Sequence, residues 1–143
     1  MEYKVIKEDN TEKWFDQNNK LVQEIHYYNN GQKEYEFYYL NDQLHKKDGP
    51  TVQRWYKNGQ KHYEYYYLNG QYHREDGPAI QWWYENGQKE LESYFLNNQR
   101  NREDSPSIQW WFKNGQREFE AYYLNDKFHR EDGPAVQEWF ENG

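Results

Sequence analysis

The sequence predicts an all-β protein in which tandem 28-residue β-hairpin repeats form one elongated, twisted antiparallel sheet. Two turn markers share one period: five Asn-Gly pairs begin at positions 30, 58, 86, 114 and 142, and the four prolines stand at 50, 78, 106 and 134. Between these markers aromatic and polar residues alternate, as in half-buried strands. A fixed period of this length is typical of stacked supersecondary units, so the repeat determines the predicted architecture.

The period makes the 143 residues a single repeat domain with four full or nearly full units. The predicted units are 33–60, 61–88, 89–116 and 117–143. Residues 1–32 are predicted to form a degenerate N-terminal cap, because Trp14–Gln32 resembles part of a unit with a small insertion. The charged residues 1–12 are expected to fray.

Each unit contains two predicted turns. Asn-Gly between strand-like residues predicts a two-residue type I′ turn, in which both central residues have positive φ. The second turn uses residues that tolerate the left-handed region, namely Asn41-Asp42, Asn69-Gly70, Asn97-Asn98 and Asn125-Asp126. The resulting strands, about ten at ~4.8 Å spacing, give a ribbon roughly 45–50 Å long.

Alternation along the first strand of a unit assigns side chains to two faces. Glu36, Tyr38 and Leu40 are predicted to lie opposite Tyr35 and Phe37. The positions that recur in every unit are predicted to be scaffold that stacks from repeat to repeat. The main recurring sets are Tyr38, Tyr66, Tyr94 and Tyr122; Trp55, Trp83, Trp111 and Trp139; and Glu36, Glu64, Glu92 and Glu120.

Composition limits the function classes. Only 34% of residues are hydrophobic but 21% are aromatic, so rings must replace much of the aliphatic core. A net charge of -7 disfavours nucleic-acid binding and favours a protein partner with a basic surface. The absence of cysteine excludes disulfides and thiolate metal sites. The N-terminal residues contain no apolar stretch of signal-peptide length, and a cytoplasmic location is expected.

Positions that vary between units are the predicted partner-binding residues, because exposed Trp, Tyr and Arg side chains anchor interfaces. One variable position holds Arg54, Trp82, Trp110 and Glu138, and another contributes Tyr72, Arg100 and Phe128.

The most motif-like segment is "HREDGP", His73–Pro78, which recurs at 129–134. A histidine beside acidic residues suggests a metal ligand, but Asn101 replaces the histidine in the third unit and no site has a second histidine. A loop role is therefore favoured. No nucleophile–base pair or phosphate loop occurs, so neither an enzyme nor a cofactor is predicted.

"YYYLNGQYHREDGPAIQWWYENGQK", Tyr65–Lys89, resembles MORN-type repeats, in particular their divergent bacterial and phage variant. The resemblance implies a hairpin sheet that serves as a non-catalytic protein-binding scaffold through a sheet face or edge. Some bacterial relatives resemble antitoxin or immunity partners, which implies a stoichiometric inhibitor, antitoxin-like or active against phage defence. Membrane binding is not expected, because the acidic chain lacks a polybasic patch.

Two other interpretations stay open from the residues. Aromatic repeats also bind cell-wall carbohydrate or choline, whose cationic head stacks on rings. In addition, the strand predicted at Val136–Phe140 could pair with a second copy of the chain and give a homo-oligomer.

Overall fold

The computed structural model describes residues 2–142, which are all-β and contain no helix. The strands of the main sheet are β1 (Lys4–Glu8), β2 (Thr11–Phe15), β3 (Leu21–Tyr27), β4 (Lys33–Leu40), β6 (Val52–Trp55), β7 (Lys61–Tyr65), β10 (Ile80–Trp83), β11 (Lys89–Ser93), β14 (Ile108–Trp111), β15 (Arg117–Ala121) and β18 (Val136–Glu138). The short strands are β5 (Gln43–Leu44), β8 (Tyr67–Leu68), β9 (Gln71–Tyr72), β12 (Phe95–Leu96), β13 (Gln99–Arg100), β16 (Tyr123–Leu124) and β17 (Lys127–Phe128).

The main sheet is antiparallel and open, and its strands follow one another in chain order from β1 to β18. This confirms the predicted all-β fold of successive hairpins. Three short hairpins, β8–β9, β12–β13 and β16–β17, form separate two-stranded sheets beside it, while β5 pairs with β4. Each full unit therefore contributes a long hairpin to the main sheet and a short one at its side.

The fold has a single layer and hence a thin core. Its accessible surface is 9233 Å², whereas a compact monomer of 18.0 kDa exposes about 8,000 Å². Within residues 2–142 the buried hydrophobic side chains are Ile25, Val52, Ala79, Leu91, Phe95 and Ala121. Most aromatic rings are only half-buried, so both faces of the sheet expose part of their aromatic side chains.

The Asn-Gly turn differs from the predicted type I′ geometry. Gly59 has a φ of 87°, but Asn58 does not have a positive φ. The Gly59 N–H donates to the Tyr56 carbonyl (2.9 Å), and the Tyr56 N–H donates to the Gln60 carbonyl (2.8 Å). This is a three-residue loop with a glycine bulge. The Asn58 side chain supports it by accepting from the Gln60 N–H (3.0 Å), and that bond keeps asparagine outside the left-handed region.

The second turn has the predicted conformation, because both central residues have positive φ in all four units. It also connects neighbouring units. Asn98 Oδ1 accepts from the Tyr72 N–H (2.9 Å), and the Asn98 N–H donates to the Tyr72 carbonyl (2.9 Å). Asp126 makes the same pair of bonds with Arg100. The short hairpins are therefore tied to one another along the array.

The prediction that residues 1–12 fray is wrong for the part that the structure describes. β1 pairs with β2 over five residue pairs, from Lys4↔Phe15 to Glu8↔Thr11. Met1, which belongs to the same prediction, lies outside the described residues. The charges do not prevent pairing because the edge strand leaves them in solvent, where lysines also protect an edge against further pairing.

A row of tyrosines that the sequence comparison did not single out connects the long hairpins. The hydroxyls of Tyr28, Tyr56 and Tyr84 donate to the carbonyls of Trp55, Trp83 and Trp111, at 2.7, 2.9 and 2.8 Å. Each bond therefore joins one hairpin to the next. Phe112 occupies the same position in the following unit and has no hydroxyl.

The missing hydroxyl at Phe112 predicts opposite effects for two matched substitutions. Tyr84→Phe should destabilise the protein by about 1 kcal/mol, the usual net contribution of one hydrogen bond. Phe112→Tyr should stabilise it by up to about 1 kcal/mol, because the new hydroxyl can donate to the Trp139 carbonyl. Urea unfolding followed by Trp fluorescence measures both. Two neutral results would show that these hydroxyl bonds do not contribute to stability.

Candidate binding surface

One face of the sheet, here called the loop face, carries Glu36, Tyr38, Gln53 and Trp55 and their equivalents in later units. Cations of the chain itself cover its rings. Arg74 lies 4.0 Å from the centre of the Tyr66 ring, and Lys61 lies 5.9 Å from the Trp83 ring. Equivalent contacts are Lys46 on Tyr38, Arg102 on Tyr94, Arg130 on Tyr122, Lys33 on Trp55, Lys89 on Trp111 and Arg117 on Trp139. The loop face therefore offers few free rings.

The "HREDGP" segment holds these cations in place. Arg74 Nε donates to Asp76 Oδ1 (3.1 Å) and its Nη1 to the Pro78 carbonyl (3.1 Å), so the guanidinium closes the loop while it stacks on Tyr66. Arg130 makes the same three contacts in the last unit. The segment thus has a structural role as a loop.

The histidine of this segment accepts a backbone hydrogen bond from the next unit. His73 Nδ1 accepts from the Asn97 N–H (3.1 Å), and His45 Nδ1 accepts from the Asn69 N–H (3.0 Å). Asn101 supplies Oδ1 to the Asn125 N–H (3.2 Å) in their place. The substitution of Asn101 therefore preserves an acceptor. Within residues 2–142 no group of three or more His, Asp and Glu side chains is arranged to hold a metal ion.

The recurring glutamates are buried rather than exposed. Glu36, Glu64, Glu92 and Glu120 are at most 7% exposed. Each pairs with the base three residues earlier on its own strand. Burial alone would raise the pKa of Glu36, but hydrogen bonds from Tyr38, Lys33 and Gln23 outweigh it and hold that pKa below its usual value.

The opposite face, here called the aromatic face, is formed by rings that stand beside one another along and between strands. On its main sheet Tyr35 stacks on Phe37 at 5.9 Å, and Tyr63 stacks on Tyr65 at 4.8 Å. Burial raises the pKa of Tyr63 to about 12, to which the neighbouring hydroxyls of Tyr35 and Tyr65 contribute. The side chains of this face are Tyr35, Phe37, Tyr63, Tyr65, Trp82, Leu91, Trp110 and Phe119, with Tyr67, Tyr72, Phe95, Arg100, Tyr123 and Phe128 on the short hairpins.

The structure brings the predicted partner-binding residues to this one face. Cross-strand pairing places Arg54 beside Tyr35, Trp82 beside Tyr63 and Glu138 beside Phe119. Trp110 pairs with Leu91, while Tyr72, Arg100 and Phe128 pair with Tyr67, Phe95 and Tyr123. That these seven residues bind a partner stays a prediction. The sequence did not indicate that they lie on the same face.

The two tryptophans are half-buried, which the sequence did not indicate. Trp82 Nε1 donates to the Tyr65 hydroxyl (3.1 Å), and the Trp82 and Trp110 rings meet edge to face at 5.9 Å. Their diagonal neighbour Ser93 is only 2% exposed. The large indoles thus lie beside small residues, because units three and four have Ser93 and Ala121 at the position where the earlier units have a ring. Variation at these positions reflects size compensation as well as surface chemistry.

The short hairpins carry a continuous column of rings that the sequence did not reveal. Tyr67 stacks on Tyr72 at 4.3 Å, and Tyr72 lies 5.3 Å from Phe95. The Arg100 guanidinium then lies between Phe95 (5.5 Å) and Tyr123 (5.3 Å). Phe128 stacks on Tyr123 at 4.6 Å and is 59% exposed. The column leaves Phe128 as its most accessible ring.

The fold and this surface define the class of protein: a β-hairpin repeat protein in which cations of the chain cover the rings of one face, while rings of the opposite face largely contact one another. The family model of the MORN repeat variant matches residues 8–30 and 79–97. These two matches support the prediction of a MORN-type repeat protein. No curated protein and no solved structure matches it significantly. MORN repeats are commonly non-enzymatic modules that bind proteins or membranes. No helix long and apolar enough to cross a membrane occurs in residues 2–142.

Proposed function

We propose that the protein is a non-catalytic protein-binding scaffold that docks its partner on the aromatic face. The contrast between the two faces carries this proposal. Cations of the chain lie over the Tyr and Trp rings of the loop face in every full unit. On the aromatic face the corresponding contacts are Arg54 on Tyr35 and Arg100 between Phe95 and Tyr123, while its other rings mainly contact one another. These residue types supply most of the binding energy at protein interfaces.

The single-layer architecture supports the same function. An array of hairpins gives a long surface whose positions can vary independently, since each unit contacts only its neighbours. A surface of this kind acts stoichiometrically by covering its partner. On this basis we extend the proposal to an inhibitor of the antitoxin or anti-defence type, for which the acidic net charge of -7 suits a basic partner surface.

Two matched substitutions test which face binds. Phe128 and Leu40 are exposed hydrophobic side chains, 59% and 47% accessible, on the aromatic and the loop face respectively. The wild-type chain and the variants Phe128→Glu and Leu40→Glu are each immobilised and used to capture proteins from cell lysate. A partner retained by the wild type and by Leu40→Glu, but lost with Phe128→Glu, supports docking on the aromatic face.

Two results contradict the proposal. Equal retention by all three proteins would show that the captured protein does not use this end of the aromatic face. Loss with Leu40→Glu alone would place the binding surface on the loop face. A glycan or choline titration that quenches Trp fluorescence, with no protein retained by the wild type, would favour the carbohydrate-binding alternative.

A further inference from the structure

The Asn-Gly turns create a repeated site at the margin of the aromatic face, formed by three side chains. A ring precedes the turn, a titratable side chain follows it, and a third side chain comes from the next turn along the array. The first such site contains Tyr28, Glu34 and Lys57, which border one cavity, and Lys57 Nζ lies 5.9 Å from the Tyr28 ring.

The third site repeats this chemistry. Lys113 Nζ lies 5.9 Å from the Tyr84 ring. Burial raises the pKa of Glu90, and Lys113 opposes that effect, so the ammonium also lies near this carboxylate. In both sites a lysine of the chain itself lies near a ring, and a carboxylate belongs to the same site.

The second site has a different composition. His62 stacks on Tyr56 at 4.3 Å and takes the place of the carboxylate, while Glu85 takes the place of the lysine. The first and third sites therefore each combine a ring with a lysine and a carboxylate, whereas the second combines a ring with a histidine and a glutamate.

The fourth site breaks the pattern. Its ring is Phe112, its carboxylate is Glu118, and the next turn supplies Glu141 in place of a lysine. These residues line one groove together with Phe119, Glu138 and Phe140. Trp110 and Trp139 complete the lining, and no basic residue of the described chain belongs to it, although the Arg117 guanidinium lies 5.9 Å from the Trp139 ring. The three glutamates are thus gathered against aromatic rings with no lysine at the position that Lys57 and Lys113 occupy in the other sites.

We propose that this groove binds a lysine or arginine side chain from an extended basic segment of the protein partner. The bound side chain would take the place that Lys57 and Lys113 occupy in the sister sites. Aromatic rings attract such cations by cation–π interaction, and the carboxylates add charge-assisted hydrogen bonds. The inference rests on the proposed protein-binding function and names the part of the partner that the groove recognises. Continuity with the aromatic face, through Trp110 and Phe119, favours a protein side chain over a free organic cation.

The test measures binding of a labelled peptide of alternating threonine and arginine by fluorescence anisotropy. Glu141→Lys should weaken it at least roughly tenfold, because the new lysine supplies the missing internal cation as Lys113 does. Glu85→Lys is the matched control, since it changes the net charge equally at the equivalent position of the second site. It should alter the affinity by no more than about twofold.

Three outcomes would overturn the assignment. Equal weakening by both lysine variants would show that the peptide responds only to net charge. Equal binding of the corresponding threonine–glutamate peptide would exclude charge recognition. Displacement of the peptide by tetramethylammonium at a similar concentration would indicate a small-cation site. Loss of the groove assignment alone leaves the capture experiment with Phe128→Glu unaffected, so the two failures are distinguishable.

Discussion

The protein is expected to unfold between pH 10 and about pH 12 as its tyrosines ionise, well before a sheet of ordinary composition would do so. The pKa of Tyr63 is about 12 and those of Tyr38, Tyr65, Tyr66, Tyr67 and Tyr94 are also raised, in each case chiefly by burial. The ordinary value is 10.0. The folded state therefore retains phenol protons that the unfolded chain releases.

The sign of the pH dependence follows from this difference. Since the folded pKa values lie above the unfolded ones, the contribution to stability is fully present below pH 10. It is lost as the pH rises from 10 through the folded values, because the unfolded state then binds fewer protons. A thin sheet has little other core to compensate for this loss.

Tyrosinate absorbance and far-UV circular dichroism, recorded over the same alkaline titration, measure the effect. The part of the tyrosinate signal that comes from the tyrosines with raised pKa values should appear together with the loss of the sheet spectrum, above the pH at which free tyrosine ionises. Tyr63→Phe should make the stability less dependent on pH in this range, since it removes one group with a raised pKa. Ionisation of all the tyrosines near pH 10 with an intact sheet spectrum would contradict the prediction.

Removing the cation beside a buried glutamate of the loop face is expected to destabilise the protein. Lys33 Nζ lies 3.1 Å from Glu36 Oε2, and the Glu36 side chain is 6% exposed. Lys33→Met leaves the carboxylate with hydrogen bonds from Tyr38 and Gln23 only. The cost should be about 2 kcal/mol, below the usual figure for a fully buried pair because Lys33 is itself partly exposed.

A double-variant cycle separates the pair from its surroundings. Combining Lys33→Met with Glu36→Met should recover most of the stability, since an apolar pair avoids the uncompensated charge. The cost of Lys33→Met should also shrink in mild acid. The pKa of Glu36 is lowered in the wild type, so its stabilising effect is lost as the pH falls from 4.5 through that lower value. Thermal unfolding at neutral and acidic pH checks both statements, and an equal cost at both would contradict them.

The periodic elements of the fold could be predicted from the sequence because turns and strands are local. The 28-residue spacing, the alternation over Lys33–Leu40 and the left-handed Asn97-Asn98 turn are confirmed. The geometry of Asn58-Gly59 could not be predicted in this way, since one side-chain bond to Gln60 decides between two turn types for the same dipeptide. Pairing of the charged β1 depends on β2, which its own composition does not reveal.

The candidate site was predictable only as a set of positions. Variation between units identified Arg54, Trp82 and Arg100, but not the half-buried state of Trp82, which depends on the small Ser93 one strand away. The column through Tyr72, Arg100 and Phe128 depends on how the short hairpins stack, and this is set by bonds between units. Comparison of the Asn-Gly turns could have indicated the unbalanced fourth site, because Lys113 and Glu141 are visible in the sequence.

The chain-order path of the main sheet has a consequence for folding kinetics. Every long strand pairs with the long strands immediately before and after it in the chain, so the pairings of the sheet close only short loops. Folding rates rise when contacts are local in sequence, which sets this protein apart from Greek-key β proteins that must first join distant segments. Folding can therefore start at any hairpin and spread to both sides, and opening should begin at the outer strands while the middle of the array stays paired.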